Sequence, residues 1–162
     1  MTIPHGYDAL VATYGDPSKY RGTDGHLTSQ WDLLTLTTIP LPAPLTYAYD
    51  SHKPITRIRC HKLVAADLQN ILAEILHAGL WDALGTFGGC YADRGQRGDA
   101  SKPSTHTWGI ALDFNPAVFV RGTTCKLPRV EHAFSIFESH GWRWGNHFTV
   151  PDPMHVQAAT GY

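Results

Sequence analysis

Two helix patterns far apart in the chain, with short strand patterns between and after them, constrain the fold more than any other feature. Apolar residues recur at spacings of three and four over 61–78 and again over 129–140, which is the repeat of one buried helix face. Gly79 and Gly141 follow the two patterns, and glycine readily adopts the left-handed conformation just past a helix end. The sequence therefore predicts two helices with these bounds.

Three short segments have the residue pattern of strands: 87–91, 109–114 and 154–158. In the second of them, apolar Leu112 and Phe114 flank Asp113, so the carboxylate faces the opposite side of the strand. Helices and strands do not alternate as they do in repeated βαβ units. We therefore expect an α+β fold, in which a small antiparallel sheet packs with helices in a single domain.

The chain has 162 residues, a length typical of one domain. Within it we expect an irregular N-terminal part, 1–59, followed by a part that carries the functional motifs, 60–162. The N-terminal part is rich in turn residues and has three prolines between positions 40 and 44. Only short strands, at 45–49 and 55–59, are predicted there.

Charge and cysteine usage exclude several classes of protein. The formal net charge is −1, from 13 basic and 14 acidic residues, which gives no general attraction to nucleic acid or to an anionic membrane. The three cysteines form no Cys-x-x-Cys pair, and their odd number suits a reducing cytosol. The first residues lack the basic and apolar regions of a secretory signal, and no apolar run reaches the ~18 residues of a membrane span. We therefore expect cytoplasmic synthesis without a signal peptide or membrane anchor.

The stretch 104–113 carries the first candidate chemistry. His106 precedes Asp113 by seven residues, and on one straight strand the two would lie about 23 Å apart. Because the strand pattern begins only at Gly109, a turn before it would fold His106 back over the face that carries Asp113. A carboxylate on an otherwise apolar strand needs a partner, which a metal ion would supply.

The second candidate lies on the last predicted strand, where His155 occupies the polar face. Asp152 precedes it by three residues, between two prolines that exclude a helix. If the two strands are neighbours, His106, Asp113 and His155 converge as two imidazoles and one carboxylate. Such a set leaves a fourth tetrahedral position for water, as in a catalytic zinc site. Asp152 would then lie close to that water without being a ligand.

The order of these motifs resembles that of the zinc D,D-carboxypeptidase and L-alanyl-D-glutamate endopeptidase family. VanY-type enzymes and several phage endolysins belong to this family, within a wider hedgehog-like superfamily. The matching motifs are Ser-x-His-x-x-Gly-x-Ala-x-Asp at 104–113, Gly-Trp-x-Trp-Gly at 141–145 and Asp-x-Met-His at 152–155. Their order and spacing together are more specific than any one of them. The resemblance extends over roughly residues 60–160.

The resemblance implies roles at the matching positions. His106, Asp113 and His155 would hold Zn²⁺, and Asp152 would be the general base. The alternative for Asp152 is a turn former before Pro153, because Asp-Pro is a common loop dipeptide. For the histidines the alternative is an ordinary hydrogen-bonded role.

The family also implies an arginine that faces the substrate and stabilises the oxyanion, presented by a segment that resembles 88–98 of this chain. Arg94 and Arg97 are rivals for this role, since two residues separate Arg94 from the tyrosine that it directly follows in other members. Ser104 and Trp144 are predicted to contact the substrate. Trp144 has a competing interpretation as a core residue, because aromatic residues near strands are commonly buried.

Two dipeptides depart from the family pattern. Asn146-His147 stands where glycine followed by an acidic or polar residue is frequent, and Val156-Gln157 stands where Phe-Glu is common. These departures concern the shape of the pocket rather than the metal.

The sequence thus predicts a zinc metallopeptidase that hydrolyses peptide bonds in the stem peptides of bacterial peptidoglycan. The L-Ala–D-Glu and D-Ala–D-Ala bonds are both open as substrates. We expect an endolysin-like monomer that acts on the cell wall or periplasm and is released by a membrane-permeabilising partner such as a phage holin.

Two alternatives belong to other functional classes. The first is a non-catalytic, zinc-containing cell-wall-binding module of the same superfamily, against which the retained Asp152 argues. The second is a metal nuclease, suggested by Asn146 and His147. The near-neutral charge and the lack of a basic stripe disfavour a nuclease.

Overall fold

The structure is a computed structural model that describes residues 2–162. The helices are α1 (Tyr7–Tyr14), α2 (Ser29–Thr35), α3 (Lys62–His77) and α4 (Pro128–Ser139). The strands are β1 (Leu36–Tyr47), β2 (Asp50–His61), β3 (Thr86–Gly89), β4 (Gly95–Gln96), β5 (Asp99–Pro103), β6 (Ala111–Phe114), β7 (Arg143–Trp144) and β8 (His155–Gln157). Among residues 2–162, no helix combines the length and apolar character needed to cross a membrane.

The main sheet has the strand order β2-β1-β3-β6-β8-β7. Its neighbouring strands run antiparallel, except that β1 and β3 are parallel where Thr46 and Tyr47 pair with Thr86 and Phe87. β4 and β5 form a separate two-stranded ribbon. The predicted single-domain α+β fold is confirmed, and the parallel pairing makes the main sheet mixed rather than antiparallel throughout.

The two predicted helices are confirmed as α3 and α4, and they form one side of the core. Most of the stripe predicted for α3 is buried (Val64, Leu68, Ile71, Leu72 and Ile75), whereas Leu63 in the first turn was predicted to be core and is exposed. The ring of Phe114 lies against Phe134 and Phe137 of α4, with centroids 6.0 and 6.1 Å apart. Since side chains alternate along β6, this packing directs Asp113 away from the helices.

The N-terminal part, predicted to be irregular over 1–59, is instead built into the fold. It contributes α1, α2 and the long β1–β2 hairpin, whose pairing runs from Leu36 opposite His61 to Tyr47 opposite Asp50. This part was predicted to be irregular because its prolines are typical of loops. They fall in the interval between Pro40 and Leu45 where the register of the hairpin shifts, so the strand accommodates residues that donate no N–H.

An ion-pair cluster joins the C-terminus of α4 to α3 and makes stability depend on pH. The His140 ring nitrogens lie 2.8 Å from Asp67 Oδ1 and 3.2 Å from Glu74 Oε2. The hydrogen bond to Asp67 is the largest cause that raises the pKa of His140 above 6.5. A pKa raised by folding contributes stability that is complete below the unfolded value and is lost as pH rises through the folded value.

We therefore expect His140→Gln to be less stable than the parent by about 1 kcal/mol at pH 5.5, with a smaller deficit at pH 9. Urea denaturation of both proteins at the two pH values measures the difference. His132→Gln, an exposed histidine on the same helix, is the control. An equal deficit at pH 5.5 and pH 9 would contradict an ionic role for His140.

Candidate metal centre

Two neighbouring strands bring Asp113 and His155 together. β6 and β8 are antiparallel, and Asp113 is paired directly with His155. Directly paired side chains on one face of a sheet lie within contact distance. Here the Asp113 Oδ1 and His155 Nδ1 atoms are 2.9 Å apart.

A tight turn adds His106 to the pair. Residues Thr105–Trp108 form a 3-10 turn that begins at Ser104, whose side chain accepts a hydrogen bond from the His106 N–H. Gly109 ends the turn at φ 68°, where an added Cβ would lie 3.1 Å from the backbone nitrogen of His61. His106 Nε2 consequently lies 3.3 Å from Asp113 Oδ2. The chain folds back over the strand face as the sequence predicted.

Hydrogen bonds on the far side of each ring determine which nitrogen carries a lone pair. His106 Nδ1 lies 2.6 Å from the carbonyl oxygen of Cys90, which can only accept, so Nδ1 is the donor and Nε2 carries the lone pair. His155 Nε2 lies 2.9 Å from Gln157 Oε1. The Gln157 amide donates to the Ala159 carbonyl at 3.1 Å, which fixes its oxygen toward His155. We therefore assign the lone pair of His155 to Nδ1, which faces Asp113.

Three electron-pair donors thus converge at one point. One ligand atom from each of His106, Asp113 and His155 lies within 4.8 Å of the others. His106 Nε2 is buried and makes no hydrogen bond in the described structure, because its 3.3 Å approach to Asp113 lacks hydrogen-bond direction. A buried acceptor that faces a carboxylate is unfavourable unless a cation lies between them. The three residues form a group that could hold a metal ion.

The protonation of this group is set by its members. Burial on its own would raise the pKa of the Asp113 carboxyl, but the imidazoles of His106 and His155, which stabilise the carboxylate when they are protonated, bring this pKa well below its usual range. Asp113 is therefore a carboxylate at neutral pH. An ionised carboxylate is the form that binds a metal.

Asp152 lies in the loop before β8 and shares a cavity with Asp113 and His155. Its Oδ1 is buried and makes no hydrogen bond within the described residues. Burial raises the pKa of the Asp152 carboxyl above its ordinary value, and the positive charges of Arg97 and Arg121 oppose that rise without cancelling it. A partly desolvated carboxylate of this kind is suited to accept a proton.

The Gly-Trp-x-Trp-Gly motif holds the Asp152 loop in place. Gly145 accepts a hydrogen bond from the Asp152 N–H, and a Cβ on Gly145 would collide with the Asp152 carbonyl oxygen. Trp144 donates its indole N–H to Pro153 and stacks on Phe134 with ring centroids 4.7 Å apart. The prediction that Trp144 contacts substrate is therefore wrong. The ring is buried in the core because it packs on α4, and it supports the loop from behind.

The cavity at the site has a volume of about 200 Å³ and is lined by both rival arginines and by Ser104. Arg94 is half-buried and precedes β4, whereas Arg97 is exposed in the turn between β4 and β5. A third arginine, Arg121, approaches Asp152 Oδ2 with its Nε at 3.9 Å. The cavity therefore combines two members of the candidate metal group, Asp113 and His155, with an excess of positive charge.

Several residues at the site were missed by the sequence analysis. Gln157 departs from the family pattern, and alternation along 154–158 predicts that it shares a face with His155. Its role as acceptor for the His155 ring was not predicted. The Cys90 carbonyl gives no signal, because a backbone acceptor is independent of side-chain type. Arg121 lies in a loop without periodicity. Asn146 is structural, since its side-chain amide pairs with the backbone of Cys125 at 2.7 and 3.1 Å.

The hydrogen bond between His155 and Gln157 predicts that different substitutions of Gln157 lower metal affinity to different degrees. Gln157→Leu removes the acceptor that orients the ring, and we expect metal affinity to fall by about 10–100-fold. Gln157→Glu keeps an acceptor oxygen and should retain most of the affinity. Competition with a chromogenic chelator measures both variants, and equal losses would show that the acceptor does not orient His155.

A family model described as D-alanyl-D-alanine carboxypeptidase, from a peptidase family, matches residues 97–158. The matched stretch contains His106, Asp113 and His155 together with Asp152. Searches of curated proteins and of solved structures each gave no match. The family resemblance predicted from the sequence is confirmed over the matched residues, and it supports a hydrolase of the peptidoglycan peptidase class.

Proposed function

We propose that the protein is a zinc metallopeptidase that cleaves peptide bonds in peptidoglycan stem peptides. The observation that carries the proposal is the convergence of His106, Asp113 and His155, of which Asp113 and His155 line one cavity together with Asp152. The match of residues 97–158 to a carboxypeptidase family supports the same chemistry. A core histidine pair would leave no reason for the unpaired Nε2 of His106.

Zinc is the metal that best fits this donor set. Two imidazole nitrogens and one carboxylate oxygen suit Zn²⁺, whereas Mg²⁺ and Ca²⁺ prefer oxygen ligands alone. Ligands about 2.0–2.2 Å from a tetrahedral ion lie about 3.3–3.5 Å from one another. Asp113 Oδ2 lies 3.3 Å from His106 Nε2, at the lower end of this spacing, and Asp113 Oδ1 lies 2.9 Å from His155 Nδ1, somewhat closer than it.

The proposed roles of the surrounding residues follow from their positions. When bound, the ion supplies a Lewis acid that polarises a carbonyl group and lowers the pKa of water. Asp152 accepts the proton of the attacking water and returns it to the leaving amine. An arginine at the cavity stabilises the negative charge that develops on the carbonyl oxygen.

Of the two rival arginines, Arg97 is our choice for the oxyanion. Its charge acts on the pKa of Asp152, which supports a position close to the reacting atoms. Arg94 is half-buried, and its guanidinium donates to the Gly95 carbonyl at 3.5 Å. Ser104 is proposed to contact the substrate because it lines the cavity, although little of its surface is exposed.

Digestion of purified peptidoglycan tests the proposal. The zinc-loaded protein should release stem-peptide fragments, and mass spectrometry of those fragments identifies the cut bond as L-Ala–D-Glu or D-Ala–D-Ala. Binding to the wall without release of any fragment would instead support the non-catalytic module. Neither release nor binding would overturn both interpretations.

An endolysin-like role, as a monomer acting on the cell wall, is part of the proposal. Its support is the family of cell-wall peptidases that matches residues 97–158. Expression in bacteria with and without a phage holin tests it. Lysis that requires both proteins is the expected result, and unchanged growth with both would argue against an endolysin.

A further inference from the structure

A second cavity opens beside the metal-ligating group and has a different character. Its volume is about 430 Å³, and it shares a wall with the first cavity that includes Arg121, Phe148 and Tyr162. Within the described part of the chain, the arginines that line it are Arg121 and Arg143, with no acidic side chain among the lining residues. His147 faces Glu138 at 3.7 Å, so the two arginines give this cavity its positive charge.

The loop that carries Arg121 is firmly attached to the rest of the site. Phe119 anchors it in the core, and the Gly122 N–H donates to the Pro151 carbonyl at 2.6 Å, directly before Asp152. Asn146 fixes the end of the loop through Cys125. These contacts position the Arg121 guanidinium at the boundary between the two cavities.

The contact with Asp152 does not by itself explain why the Arg121 guanidinium lies between the two cavities. The Arg121 Nε–Asp152 Oδ2 separation is 3.9 Å, which is too long for a hydrogen bond. A guanidinium has five N–H donors in a planar fork that suits a carboxylate. At 42% side-chain exposure, Arg121 is accessible to a ligand that enters from the second cavity.

The two candidate bonds, D-Ala–D-Ala and L-Ala–D-Glu, have one chemical property in common. In both, the leaving residue, which departs with the new amine, carries a free α-carboxylate. In D-Ala–D-Ala the leaving residue ends in a free carboxylate. In L-Ala–D-Glu the chain continues through the γ-carboxyl, so the α-carboxylate of the leaving residue is also free. A cationic cavity next to the metal-ligating group complements this charge.

We propose that Arg121 is a specificity-determining residue that binds the free α-carboxylate of the residue on the leaving side of the cleaved bond. This inference rests on the proposed peptidase function. Arg143 lines the far part of the same cavity and adds to its positive field. The substrate class is therefore a peptide whose leaving residue keeps its α-carboxylate free.

Two synthetic stem peptides test the inference, identical except that the leaving residue carries an α-carboxylate or an α-carboxamide. The zinc-loaded parent should cleave the carboxylate form with the higher kcat/KM. Arg121→Gln should lower the ratio of kcat/KM between the carboxylate and carboxamide forms by about 10–100-fold, as expected for a charge-assisted hydrogen bond. Any effect of the lost charge on Asp152 acts on both peptides alike and cancels in this ratio. Arg57→Gln, a matched loss of charge on the exposed strand β2, should leave both rates unchanged.

Equilibrium binding separates this inference from the proposed function. The same peptides are titrated into zinc-loaded Asp152→Asn protein, with and without Arg121→Gln. Tighter binding of the carboxylate form that is lost with Arg121 supports the inference, even if the parent cleaves neither peptide and the peptidase proposal fails. Equal binding of both peptides, or a preference that survives in Arg121→Gln, overturns the inference while leaving any observed cleavage intact.

Discussion

Asp152→Asn should lower peptidoglycan hydrolysis by about 10²–10⁴-fold, the usual contribution of a general base. The amide keeps the size of the side chain but cannot accept the proton of water. Asp152 lies outside the group whose ligand atoms converge within 4.8 Å. The variant should therefore bind zinc almost as the parent does, which elemental analysis of the purified protein measures.

Asp113→Asn is the matched substitution and should behave differently. Asp113 faces both imidazoles, with its oxygens 2.9 and 3.3 Å from their nitrogens. An amide is a weaker metal ligand than a carboxylate, so zinc and hydrolysis should be lost together. Near-parental hydrolysis by Asp152→Asn would remove it as the base. Loss of zinc from Asp152→Asn but not from Asp113→Asn would show that the two carboxylates have exchanged roles.

Removal of the metal or of one imidazole ligand should abolish hydrolysis. His106 is 3% exposed, and its Nε2 has no hydrogen-bond partner in the described structure. His106→Ala therefore deletes the proposed metal ligand together with the Nδ1 hydrogen bond to the Cys90 carbonyl. Zinc at about a thousand times its dissociation constant stabilises a folded protein by about 4 kcal/mol. The Tm of the parent should therefore rise on zinc addition and fall on chelation.

The thermal shift of His106→Ala on zinc addition should be small by comparison. His77→Ala removes an exposed histidine from the end of α3 and is the control, with a parental zinc shift. A full zinc shift in His106→Ala would exclude His106 as a ligand, whatever the variant's activity.

Elements that have a periodic apolar pattern and a clear end signal could be predicted from the sequence. α3 and α4 follow from their apolar stripes and terminal glycines, and the turn before Gly109 follows from the point where the strand pattern starts. The approach of His106 to Asp113 could be predicted because the strand and the turn are consecutive. The pairing of β6 with β8 could only be assumed from the sequence. The alternation of apolar and polar residues in a strand does not identify the strand beside it.

Features that depend on distant parts of the chain were not predictable. The β1–β2 hairpin was obscured by prolines that fall where its register shifts. Trp144 has the composition of a groove residue but is buried, because α4 packs against it through Phe134. Arg121 gains its position from contacts with Pro151 and Asn146, which no local pattern encodes. These misses concern packing and loop attachment, for which a single sequence contains little information.

The direct pairing of Asp113 with His155 makes metal binding depend on the register between β6 and β8. The pairing between β6 and β8 spans Ala111–Gln157, Leu112–Val156 and Asp113–His155. A slip of one residue would turn one strand's side chains to the opposite face and separate the carboxylate from the imidazole. Under the proposed function, a sheet whose register is shifted by one residue could not bind the ion. Metal binding would therefore favour the native register over the shifted ones during folding.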